Sequence, residues 1–208
     1  MTKKDAAEKK GLDDYGIIFI SGDIDEGTAQ SVCEKIIEMN VTRNCDFIQL
    51  IINSNGGLCS AGFAIIDMID WSQLPVYTTG VGIIASMALA VFMAGEKGHR
   101  VLTPRTSVLS HRFAAFSYGN HSELVAKRKE EDLMHRRLLD HYIQHTGLKT
   151  EEEVVKKLLR DVDTWLTPQE AVEMGIADKI QYDQKMSHPA QAGGKEKWEP
   201  FKHWKTCP

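Results

Sequence analysis

The sequence predicts an α/β fold built on a largely parallel sheet. Short apolar runs at residues 16–20, 47–52 and 76–79 have the length of buried strands. Between them lie stretches whose apolar residues recur at helical spacing. Strand and helix therefore alternate, as crossover connections between parallel strands require.

The first run, Gly16-Ile17-Ile18-Phe19-Ile20, reads as a buried strand ended by Ser21-Gly22-Asp23. Ala29, Val32, Cys33, Ile36 and Ile37 then fall on one face of a helix. The second strand, 47–52, is stopped by Asn53-Ser54-Asn55-Gly56-Gly57. Phe63, Ile65, Ile66, Met68 and Ile69 mark the next helix, and residues 76–79 a third strand. After an apolar segment ending near Gly95, short strands are expected at 99–102 and 107–110. Residues 122–145 form the longest helix, charged except for a narrow stripe of Leu124, Met134, Leu138, Leu139, Tyr142 and Ile143. Thr150 and Glu153 have capping-box spacing, so residues 154–159 are expected to be helical. Thr167, Pro168 and Glu170 give a second start signal, with the helix running to Gly175 and a strand at 176–180. Beyond about Asp183 the pattern stops. The expected organisation is a flexible segment at 1–14, one domain at 15–183 and a tail at 184–208 carrying Trp198, Phe201 and Trp204.

Composition narrows the function. The 208 residues are 42% hydrophobic and 26% charged, enough for one domain with a core under two or three layers. A net charge of −4 gives no basis for broad phosphate-backbone binding, so nucleic acid is not an expected partner. The four cysteines, at 33, 45, 59 and 207, form no CxxC pair and have no histidines at zinc spacing; reduced thiols in a cytoplasmic protein are expected. The first fourteen residues are charged and lack the apolar run of a secretory signal. Residues 71–95 carry no charge, yet polar residues fill their first part. The strongly apolar remainder, 81–94, is shorter than the roughly 20 residues of a membrane span, so a soluble core is expected.

Ser86 lies at the centre of that apolar segment, after Gly80 and Gly82 and before a helix-forming run. A hydroxyl at a helix start meets free N–H groups and a dipole that favour negative charge. An activated serine also needs a base, a carboxylate to orient that base, and N–H donors for an oxyanion. Gly56-Gly57 offers a turn with exposed N–H groups. Among eight histidines, His111 ends an apolar strand, where a sheet's carboxyl edge presents side chains to a cleft. His121, His135, His141 and His145 fall in or beside the charged helix and are expected to face solvent; His99 lies in a polar turn, and His188 and His203 in the tail. Taken singly, each feature also has a structural reading: a core serine, an ordinary turn, a strand-end histidine.

Together the motifs resemble the ClpP-type serine peptidases. Ile51-Ile52-Asn53-Ser54-Asn55-Gly56-Gly57, Ala85-Ser86-Met87-Ala88, Ser110-His111-Arg112 and Thr164-Trp165-Leu166-Thr167-Pro168-Gln169-Glu170-Ala171 occur in the family's order, over about residues 15–182. The resemblance implies a ClpP/crotonase-like fold with repeated strand–helix units, and makes residues 122–145 similar to the long handle helix. It implies a Ser-His-Asp triad with Ser86 as nucleophile and His111 as base, the backbone N–H groups of Gly57 and Met87 forming the oxyanion hole. An ungapped match puts Leu159 at the acid position, which implies an indel. The pattern Asp-x-x-Thr-Trp-Leu-Thr, familiar from phage-encoded relatives, selects Asp161, with Asp163 in reserve.

Asn55 stands where the family has proline, which is expected to loosen the turn before the oxyanion donors. Arg112-Phe113 stands where Gln/Asn-Pro is usual and alters the wall beside the site. The resemblance implies endopeptidase action on unfolded polypeptides inside a homo-oligomeric chamber of two stacked heptameric rings, a tetradecamer, fed by an AAA+ unfoldase. No metal or organic cofactor is implied. Two other readings share the residues: a non-catalytic ring subunit, and a phage capsid-maturation peptidase. An acyl-CoA enzyme of the crotonase-like fold has no need of the Ser/His pair.

Overall fold

The computed structural model describes residues 11–181. Most of the expected flexible start and the whole expected tail, with His188, His203, Trp198, Phe201, Trp204 and Cys207, lie outside the described residues.

Among the described residues seven strands and six α-helices occur, alternating as far as β4: β1 Ile17–Ile24, α1 Glu26–Thr42, β2 Ile48–Gly57, α2 Cys59–Trp71, β3 Val76–Ala85, α3 Met87–Met93, β4 Arg100–Leu102, β5 Ser107–Ser110, α4 His121–His145, α5 Glu151–Lys157, β6 Thr164–Leu166, α6 Pro168–Glu173 and β7 Lys179–Ile180. Strands β1, β2, β3, β4 and β7 lie side by side and parallel. Strand β3 is long enough to serve two neighbours. Its first half pairs with β4 at Thr78–Gly80 and its second half with β5 at Ile83–Ala85. The only antiparallel pairing among the described strands is β5 with β6.

The β1, β2 and β3 strands run past the points where their composition suggests a stop. Residues 21–24, 53–57 and 80–85 keep their ladders, with register shifts between Ser21 and Asp23 and between Ile52 and Ser54 absorbing the irregularity. The segment at 80–85 is thus strand, not turn, and Asn55 is an exposed residue within β2 rather than part of a loosened loop. Thr164–Leu166, recognisable only as a motif, is a strand in its own right.

One face of the sheet is covered by α1, α2 and α3. Ile18, Ile20, Leu50, Ile52, Val76 and Leu102 alternate onto that face and are buried against Val32, Ile36, Ile65 and Leu89. On the other face, Phe19 is 48% exposed. Every residue of α3 is buried, so the apolar segment following Ser86 is core. Among the described residues no helix is long and apolar enough to cross a membrane.

The capping boxes expected at Thr150 and Thr167 are both formed, each threonine accepting from the backbone N–H three residues on while the glutamate bonds back. The solvent-facing assignment of His141 and His145 is overturned. Both are buried, because the last turns of α4 pack on α3. His141 Nε2 lies 2.8 Å from the Ala90 carbonyl near the end of α3, an oxygen that also accepts from the Ala94 N–H at 3.2 Å. Burial first, then the neighbouring His145, pushes the His141 pKa down to about 4.

Arg100 closes the far side of the core. Its side chain is 4% exposed and pairs with Asp178 at 2.7 Å while donating to the His145 and Gly175 carbonyls. Burial raises the Asp178 carboxyl, but the hydrogen bonds and charge of Arg100 outweigh it and leave the group below its ordinary value.

Candidate active site

The site assembles where β2, β3 and β5 end. Ala85, the last residue of β3, pairs with Leu109 in β5, and Ser86 N–H donates to the Leu109 carbonyl at 3.0 Å. Ser86 and His111 therefore leave adjacent parallel strands at the same edge. Parallel strands joined by helical crossovers collect their carboxyl ends in this way, and side chains there face a cleft.

Ser86 is held at φ 55°, ψ −123°. That lies outside the regions an L-residue ordinarily occupies and costs on the order of 1–3 kcal/mol. Ser86 is the N-cap of α3, as its place before a helix-forming run leads one to expect, yet its side chain makes no capping bond. The hydroxyl is thus not engaged by its own helix. The turn is backed by Gly56 at φ 95°, where a Cβ would lie 2.7 Å from the Ala85 carbonyl, 2.8 Å from Ser86 Cβ and 2.9 Å from Met87 N. Only glycine fits so close to the backbone carrying Ser86. Gly57 is equally confined: its Cβ would collide with the Ile24 carbonyl of β1. Met87 is the first residue of α3, where an N–H has no acceptor within its own helix.

His111 follows Ser110, which is buried and fixed by a 2.9 Å hydrogen bond between its hydroxyl and that of Tyr142 on α4. The His111 Nε2 atom is buried with no hydrogen-bond partner. On the other side of the ring, Nδ1 lies 3.8 Å from Asp163 Oδ1, an ion-pair distance about 1 Å longer than a hydrogen bond. A buried ring nitrogen without a partner is unusual, although His145 Nδ1 and Thr164 Oγ1 share that state. The two edges of this imidazole thus differ: one faces a carboxylate, the other is unengaged.

The structure brings together Gly57, Ser86, Met87 and His111, but the carboxylate beside His111 is Asp163 rather than Asp161. The β5–β6 register explains this. Ser110 pairs with Thr164 and Leu109 with Trp165, so one step further along the ladder residue 111 meets residue 163. Asp161 lies two residues beyond, 88% exposed, with Oδ1 paired at 2.8 Å to Arg112 Nη1. Leu159, the residue an ungapped match puts at the acid position, is fully buried in the core. An antiparallel register is invisible in a local motif, which is why the motif alone selects Asp161, two residues from the carboxylate that lies beside His111. No local signal separates Asp163 from Asp161, because Thr164–Leu166 is recognisable only as a motif until its ladder with β5 is seen.

Cys33, Cys45 and Cys59 are partly buried and form no disulfide with one another. Burial pushes the thiols of Cys33 and Cys59 up, away from the reactive thiolate form. Among the described residues no cluster of three or more His, Cys, Asp or Glu side chains is arranged to hold a metal ion.

Comparison with known proteins agrees with this architecture. The family model described as Clp protease matches residues 3–184. The ATP-dependent Clp protease proteolytic subunit 2 of Rhodococcus jostii (strain RHA1) is 32% identical over 178 residues, covering 86% of this chain and 87% of the relative.

Proposed function

Because the chain belongs to the Clp protease family, whose members are peptidases, we propose that it is a serine endopeptidase with Ser86 as nucleophile, His111 as base and Asp163 as the acid. The observation that carries this is the convergence at one sheet edge of a strained, uncapped serine and a histidine with one buried nitrogen unengaged and the other facing a carboxylate.

In the proposed reaction, His111 Nε2 takes the Ser86 proton as Oγ attacks a peptide carbonyl. The Gly57 and Met87 N–H groups receive the charge that develops on the carbonyl oxygen. Asp163 holds the imidazole with Nδ1 protonated and stabilises the imidazolium; its distance from Nδ1 must shorten by about 1 Å for a hydrogen bond, a tightening common when substrate binds. His111 then returns its proton to the leaving amine, which departs with an acyl-enzyme left on Ser86. Water attacks that ester with His111 again as base, and the acid product and free serine complete the cycle.

We assign the substrate as unfolded polypeptide, delivered by an AAA+ unfoldase into a chamber of two stacked heptameric rings. The half-exposed second face of a parallel sheet, with Phe19 upon it, supports burial against neighbouring copies, since such sheets are ordinarily covered on both sides.

Labelling by a fluorophosphonate probe tests the assignment. Wild type is expected to take up the probe in its assembled state, and Ser86→Ala to take up none. Labelling that survives Ser86→Ala would show that the nucleophile lies elsewhere. A stable monomer by sedimentation would rule out the ring.

A further inference from the structure

The proposed acid sits on a stretch that makes little structure of its own. Residues 158–163 form neither helix nor strand, and the Asp163 side chain is 58% exposed. An exposed turn carboxylate has many accessible rotamers and backbone states, whereas orienting an imidazole needs one. Part of the restraint comes from β6, whose first residue, Thr164, is paired with Ser110. A restraint on the other side of Asp163 is also needed.

Arg112 supplies it. This residue directly follows His111, and its guanidinium reaches back across the turn with two separate edges. Nε donates to the Leu159 carbonyl at 2.8 Å, and Nη1 pairs with Asp161 Oδ1 at 2.8 Å. One planar group thus grips the turn at two points spaced two residues apart. The grip is anchored in the core, because Leu159 itself is fully buried. Asp163 is then held from both sides, by Arg112 at 159 and 161 and by the β5 ladder at 164. Lysine, with a single ammonium on a flexible stem, does not reproduce this two-edged geometry.

We propose that Arg112 is a positioning residue that holds the 159–163 turn in register with His111, and that Asp161 acts as the anchor of that clamp. The proposal rests on the peptidase reading above. It also gives purpose to a departure from the family pattern, an arginine where glutamine or asparagine is usual.

The test is a mutant cycle on the full-length assembled protein, read by peptide hydrolysis, fluorophosphonate labelling and thermal unfolding. The variants are Arg112→Lys, Asp161→Asn, Asp163→Asn, and each of the first two combined with the third. Arg112→Lys preserves the positive charge beside His111, so a change reports geometry. It is expected to lower kcat about 10- to 100-fold with KM little changed, the size expected of a roughly 1 Å misplacement. Because an exposed ion pair adds little to folding, Tm should fall by less than about 4 °C. In the Asp163→Asn background the same substitution should add no further loss, since the group it positions is already gone.

A kcat for Arg112→Lys within about twofold of wild type, or a loss that multiplies with that of Asp163→Asn, would overturn the positioning role. Should Arg112→Lys fail to assemble, Asp161→Asn carries the test: it leaves the Leu159 bond intact and is expected to show a smaller loss, also absent in the Asp163→Asn background. Wild type lacking any Ser86-dependent activity overturns both this role and the peptidase reading. Activity that needs Asp163 but ignores Arg112 and Asp161 overturns only the role.

Discussion

Replacing Gly56 by alanine tests whether the packing behind Ser86 matters. The new methyl would stand 2.7 Å from the Ala85 carbonyl, 2.8 Å from Ser86 Cβ and 2.9 Å from Met87 N. All three belong to the turn carrying the proposed nucleophile and oxyanion donor, and two are backbone atoms that cannot swing aside. To restore ordinary van der Waals contact, the turn must retreat by roughly 0.7 Å or more. A shift of that order is expected to slow Ser86-directed labelling about 100-fold. Gly98 provides the control, because it has φ 90° against 95° for Gly56 but nothing within 4 Å of its would-be Cβ. Both substitutions force a side chain into left-handed backbone, at about 1–2 kcal/mol, or roughly 2–8 °C in Tm. Gly98→Ala should therefore lose that much stability and label at the wild-type rate. Fluorophosphonate uptake against time, with Tm measured on the same samples, separates the two effects. Equal labelling rates in Gly56→Ala and Gly98→Ala would refute the claim that the close approach of Gly56 sets the position of Ser86.

Asp163→Asn should reduce peptide hydrolysis by on the order of 10³- to 10⁴-fold, because an amide cannot hold the imidazole in the tautomer the base requires. Asp161→Asn should cost far less, and a ranking in the opposite order would return the acid to Asp161. His141 has its pKa held near 4 in the folded protein, below its ordinary 6.5, by burial and by His145. The unfolded chain therefore takes up the proton first, and stability should be lost as pH falls from about 6.5 to 4, by on the order of 3 kcal/mol. Urea midpoints across that range check this; His141→Gln should flatten the dependence, and an unchanged slope would contradict the assignment. Asp178→Asn should leave the Arg100 guanidinium buried without its counter-charge and destabilise by about 3–5 kcal/mol, near 10 °C in Tm. A Tm within about 2 °C of wild type would show that the carbonyls of His145 and Gly175 suffice for Arg100.

What the sequence made legible were features written in consecutive residues. Thr150 and Thr167 announce their helices because a capping box is complete within four positions, and Ser86 announces itself by standing alone in an apolar segment. Strand ends were harder to read. Asn53, Ser54 and Gly80 are turn-forming residues locally, yet pairing with neighbours far away in sequence keeps them in strands. His141 and His145 were misjudged for a related reason: a helix with mostly charged residues can still bury one end where a second helix meets it. Asp163 depends on register, a relation between two strands more than fifty residues apart, and no local pattern distinguishes it from Asp161.

The antiparallel docking of β6 also sets an order of events during synthesis. Gly57, Ser86 and His111 emerge from the ribosome with the strands that carry them, while the proposed acid comes later and has no fixed place until Thr164–Leu166 lies against β5. A growing chain thus contains the proposed nucleophile and base before it contains the proposed acid. The proposed hydrolytic activity therefore waits on the docking of β6, a strand made only after β1 to β5 and the long α4 helix.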